Sequence, residues 1–104
     1  MGKASRDKGA RREREIVELL NAINGVHAER VPLSGAAGGS YAGDIQIITA
    51  GEQLIAEVKA RKNGQGFVTL EKWLGDNDML ILKRDRQKPM VVLPWEMLHF
   101  LMES

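Results

Sequence analysis

Three residues of this chain could do chemistry together: Asp44, Glu57 and Lys59. Glu57 and Lys59 are separated by one residue, so an extended backbone puts both on the same face. Two neighbouring carboxylates repel unless a cation lies between them. A hard divalent ion accepts carboxylate oxygens and removes that repulsion. An amine beside such an ion reaches a water or a phosphate. The same three groups also read as a solvated strand face carrying one salt bridge.

The elements that would position them follow from residue type. Residues 45–49 (IQIIT) and 53–58 (QLIAEV) are rich in β-branched and apolar residues, with Ala50-Gly51 between them. That is a hairpin pattern. In an antiparallel pair turning there, Thr49 faces Glu52 and Ile48 faces Gln53. Counting on, Asp44 faces Glu57, with Cβ atoms roughly 4.5–5.5 Å apart. A slip of one residue would separate the two acids.

Upstream, residues 1–5 read as a disordered leader, and a helix starts at Ser5 or Asp7, either of which can cap it. Ile16, Val17, Leu19, Leu20 and Ile23 give it an apolar stripe, and Asn24-Gly25 ends it. At about 100° per residue, Glu13 lies within roughly 60° of the centre of that stripe, while Glu15 and Glu18 lie farther round. Glu13 is therefore the helix acid expected to overhang the sheet. A negative charge early in a helix also complements its dipole.

Between helix and hairpin, residues 26–33 (VHAERVPL) suggest a strand ending at Pro32. Residues 34–43 (SGAAGGSYAG) form a glycine-rich loop ahead of Asp44. Its backbone N–H groups and Ser34 or Ser40 could meet a phosphate, or it is a plain connection. It is no P-loop, since no Gly-Lys-Ser/Thr follows. Past the hairpin, residues 68–74 suggest a short helix capped by Thr69, or an irregular segment. Residues 79–83 and 89–93 read as strands covered on both faces, joined by the charged turn 84–88. Pro94 opens a last helix with Met97, Leu98, Leu101 and Met102 on its apolar face. Trp73 and Trp95 suit a core or an interface. The order α-β-β-β-α-β-β-α gives an α/β fold, a mixed β-sheet flanked by helices, in one domain over residues 1–104.

Composition narrows the function. With 104 residues and no cysteine, the chain has neither disulfides nor thiolate metal ligands. His27 and His99 have no neighbouring ligand residues and read as surface histidines. No apolar run approaches the ~18 residues of a membrane helix. The basic start lacks the apolar segment of a signal peptide, so a cytoplasmic protein is expected. The net charge of +1 conceals clusters. Residues 1–14 carry six cations, including Lys8, Arg11 and Arg14, against two acids. Lys59, Arg61 and Lys62 form a second cluster, and Lys83, Arg84, Arg86 and Lys88 a third. Such clusters suit a polyanion such as nucleic acid, or are solvated faces.

A helix acid, an acid before a hairpin and Glu-x-Lys in its second strand together resemble the PD-(D/E)XK nuclease superfamily. Here the signature reads Gly43-Asp44 and Glu57-Val58-Lys59, with glycine where the superfamily usually has proline. Residues 8–20 (KGARREREIVELL) look like the first helix of archaeal-type Holliday-junction resolvases and their phage relatives. Arg30-Val31-Pro32 with Ser34-Gly35 is similar to the Arg…Ser-Gly segment of that group. The likeness covers residues 8–62.

The resemblance implies a restriction-endonuclease-like core and phosphodiester hydrolysis leaving 5′-phosphate and 3′-hydroxyl ends. It implies Glu13, Asp44, Glu57 and Lys59 as catalytic residues. Asp44, Glu57, the Val58 carbonyl and Glu13 would hold Mg2+, with Mn2+ as a substitute. Arg14, Arg30 and Ser34 would touch DNA, joined by Lys8, Arg11, Arg61 and Lys62 from the basic clusters. The implied substrate is a four-way DNA junction and the implied assembly a homodimer, whose interface Trp73, Trp95, Phe100 and Met102 could supply. A phage nuclease acting on flaps or forks is the nearest alternative. A non-catalytic DNA-binding module is a more distant one, because binding alone needs no metal-ready acid pair.

Overall fold

The amphipathic run that ends at Ile23 closes a long helix. In a computed structural model that describes residues 2–31 and 44–104, with side chains from residue 9 onward, α1 spans Gly2–Asn21. It begins earlier than the expected caps at Ser5 and Asp7, and residues 2–5 are helical rather than a leader. The stretch contains no proline, and its Ala, Arg, Lys and Glu residues are good helix formers. Gly25, at φ +91°, turns the chain into β1.

The chain divides into two compact units, residues 1–60 with 102–104, and residues 61–101. In the first unit β1 (Val26–Arg30), β2 (Ile45–Thr49) and β3 (Glu52–Ala56) form an antiparallel sheet in that order. The β2–β3 register is the expected one: Thr49 faces Glu52, Ile48 faces Gln53, and the ladder runs to Ile45 opposite Ala56. Ala50 and Gly51 both have positive φ, 51° and 79°. That is the twist a two-residue hairpin loop requires.

Helix α1 packs on β1. The buried residues Leu20, Ile23, Val26, Ala28, Val31, Ile45 and Ile47 make the core. Ile23 and Ile45, 1% and 0% exposed, each contribute about 1.5–3 kcal/mol over an exposed side chain. Edge strand β1 is partly closed by α1. The Asn21 amide donates to the Ala28 carbonyl and accepts from the Ala28 N–H, at 2.9 and 2.7 Å. One side chain thus does at Ala28 what a further strand would do.

The second unit holds α2 (Val68–Leu74), β4 (Leu80–Leu82), β5 (Met90–Val92) and all but the last residue of α3, which spans Trp95–Met102. Phe67, not Thr69, occupies the α2 cap position, and Thr69 lies inside the helix. Strands β4 and β5 pair antiparallel with each other in a two-stranded sheet. The α/β class holds, with antiparallel sheets flanked by helices. Among the described strands the pairing is antiparallel in two sheets, where a mixed sheet was expected. The apolar runs expected to be covered on both faces keep Ile81, Met90 and Val91 exposed. Trp73 is also exposed.

Candidate active site at one end of the first sheet

Asp44 immediately precedes β2 and Glu57 immediately follows β3. Since Ile45 faces Ala56, both acids lie at the same end of the sheet. Arg30 also faces Ile45, and Val31 donates its N–H to the Asp44 carbonyl at 2.9 Å. The ends of β1, β2 and β3 therefore meet there.

The ladder does not continue to an Asp44–Glu57 pair. The Asp44 N–H donates to the Ala56 carbonyl at 2.8 Å. Asp44 and Ile45 thus both stand opposite Ala56, the two-against-one arrangement of a β-bulge. A bulge re-aims a side chain. Asp44 Oδ2 accepts the Val58 N–H at 2.8 Å, linking the first acid to the middle of Glu57-Val58-Lys59. Asp44 is half-buried, and among the described residues its other carboxylate oxygen has no hydrogen-bond partner. Glu57, expected inside a strand reaching residue 58, and Lys59, expected to share its face, both lie past the end of β3. They are exposed and paired, Nζ to Oε2 at 3.1 Å.

Glu13 reaches this end from α1, as its place on the helix wheel suggested, but its partner is a cation. Arg30 Nε donates to Glu13 Oε1 at 2.9 Å, with the side chains 29% and 19% exposed respectively. Glu13 was expected to join the metal-holding acids. Among the described residues no three His, Cys, Asp or Glu side chains are gathered closely enough to hold an ion. The reason lies in the helix. Its inward stripe carries Glu13 towards β1, where the Arg30 guanidinium meets it first. Nothing local in the sequence marks that pair, whose members lie 17 residues apart. An inward-facing acid and an arginine at the end of the next strand are its only signal.

Of the expected DNA contacts, Arg11 and Arg14 are exposed on α1. Arg61 and Lys62 are exposed at the start of the second unit. The Lys8 side chain, Ser34, Ser40 and the glycine loop lie outside the described residues.

A family model described as "Phage putative PDDEXK endonuclease" matches residues 4–104. The chain belongs to this family. Comparison with curated proteins and with solved structures gives no match. Membership makes the chain an endonuclease of the PD-(D/E)XK superfamily, a hydrolase that acts on DNA, and places the α/β fold within that superfamily. Nucleases of this kind generally use divalent metal ions. The donor set suits one: carboxylate oxygens with no thiolate, including an Asp44 oxygen without a partner among the described residues. No helix among the described residues is long and apolar enough to cross a membrane.

Proposed function

We propose that the protein is a magnesium-dependent, structure-selective DNA endonuclease that resolves four-way junctions by phosphodiester hydrolysis. The observation that carries the site assignment is the Asp44–Val58 hydrogen bond. It ties the lone acid before the hairpin to the Glu57-Val58-Lys59 segment. The resemblance of residues 8–20 to a resolvase helix supports the choice of substrate.

Asp44 and Glu57, with the Val58 carbonyl, are the residues that would hold the ion. When bound, a divalent cation there supplies a Lewis acid for a phosphoryl oxygen and lowers the pKa of a water. The remaining work falls to the chain itself. Asp44 is oriented by the Val58 N–H, so its carboxylate does not rotate freely. Lys59 is a preorganised positive charge for the phosphate oxygens, on which negative charge grows as the in-line attack proceeds. The 3.1 Å contact with Glu57 holds the Lys59 ammonium beside that carboxylate. Arg11, Arg14, Arg61 and Lys62 offer exposed cations for the DNA backbone.

A junction has two symmetric strands to cut, which suits a twofold pair of centres. Trp73 and Phe100, 59% and 72% exposed in the second unit, support a homodimer through that unit. Light scattering at working concentration checks it, and a monomer counts against it.

The test of substrate is a labelled four-way junction incubated with and without magnesium, beside a flap, a fork and a linear duplex. Symmetric magnesium-dependent cuts near the branch support resolution. Cleavage of flaps or forks with the junction intact transfers the assignment to a phage nuclease acting on other branched DNA, which the family equally accommodates.

A further inference from the structure

The turn between β4 and β5 is built at a conformational cost. Gln87 donates its N–H to the Arg84 carbonyl at 3.0 Å, closing a β-turn over Asp85 and Arg86. Arg86, the third residue of that turn, has φ +65°. Glycine or asparagine normally takes such a position, because an L side chain crowds its own backbone there. Among the described residues no hydrogen bond or ion pair of the Arg86 side chain offsets that cost. The surroundings indicate what it serves. Lys83, Arg84, Arg86 and Lys88 are exposed and stand against one acid, Asp85, within residues 83–88. A groove is lined by Arg84, Arg86, Gln87, Lys88 and Met90, with no carboxylate among them. Lys83 Nζ caps the Arg84 carbonyl at 3.0 Å, so it braces the turn.

We propose that this hairpin tip is a DNA-backbone contact, in which Arg84, Arg86 and Lys88 seat phosphates in the groove. Strain held at an exposed functional side chain and a local excess of cations point the same way. The proposal rests on the nuclease reading only for DNA as the polyanion. It involves none of the residues assigned to hydrolysis.

The test combines stability with binding, using the full chain and a labelled duplex and four-way junction with divalent metals chelated. Arg86→Gly relieves the backbone and should raise the melting temperature by about 2–5 °C. It should also weaken DNA binding by roughly 3–10-fold and make the dependence of log affinity on log salt shallower by about one. Arg84→Gln with Lys88→Gln leaves the strained residue in place. That pair should lower the salt slope by about two without altering the melting temperature. A more stable Arg86→Gly protein with unchanged affinity and salt slope overturns the proposal, as does an unchanged slope in the double variant. If the wild-type protein itself binds no DNA, the nuclease reading falls with it. If the wild type binds and both variants bind equally well, only the hairpin-tip contact falls.

Discussion

The carboxylate of Glu13 accepts a hydrogen bond from Arg30 Nε across 2.9 Å, joining α1 to the end of β1. Both side chains are less than a third exposed. Removing one partner leaves the other charge half-buried and unpaired. Glu13→Gln and Arg30→Gln should each cost about 1–3 kcal/mol of stability. The double variant should cost less than the sum, with a coupling of about 1 kcal/mol. Urea unfolding of the four proteins measures it, and additive costs contradict the pairing.

Asn21 supplies both hydrogen bonds that the outer edge of β1 needs at Ala28. Asn21→Ala should destabilise by about 1–2 kcal/mol, since two backbone groups lose their partner. Amide exchange at Ala28 should speed up in the same variant, while a protected Ala28 amide would show that another group takes over.

The hairpin turn offers the opposite sign. Ala50 holds φ 51° without the side-chain hydrogen bonding that makes asparagine tolerant of that region. Ala50→Asn should raise the melting temperature by about 2–5 °C. No change or a fall would mean that the turn differs in solution.

These elements also separate what sequence makes legible from what it does not. Alternating β-branched residues about Ala50-Gly51 were enough to predict a register that holds from Thr49–Glu52 to Ile45–Ala56. The bulge at Asp44 was not legible. It depends on which carbonyl the Asp44 N–H finds, and periodicity is silent on that. The inward face of Glu13 followed from helix geometry alone. Its capture by Arg30 did not, because a contact across the fold leaves no local pattern. Residue chemistry and the hairpin count grouped Asp44, Glu57 and Lys59 before any resemblance did. The sheet explains why they meet at one end, and the slip past Ala56 explains why Asp44 meets the Val58 amide. Residues 79–83 and 89–93 read as buried strands because they are apolar. Their pairing in a separate two-stranded sheet is a matter of partner choice, which apolar character does not encode.

Lys59 and Glu57 form an exposed ion pair, with side chains 62% and 47% accessible. Such pairs add little to stability. Lys59→Ala should therefore shift the melting temperature by less than about 2 °C while abolishing cleavage. A large loss of stability would assign the lysine to the fold instead.

Hydrolysis should depend on the Asp44 carboxylate, set by the bulge and the Val58 N–H. Asp44→Asn keeps an oxygen able to accept that N–H and removes the charge. The decisive measurement is its rate of cleavage of a labelled four-way junction in magnesium, beside its melting temperature and its affinity for the same DNA. The rate should fall by roughly three orders of magnitude, with folding and binding retained. Cleavage by highly purified Asp44→Asn protein at the wild-type rate would contradict it.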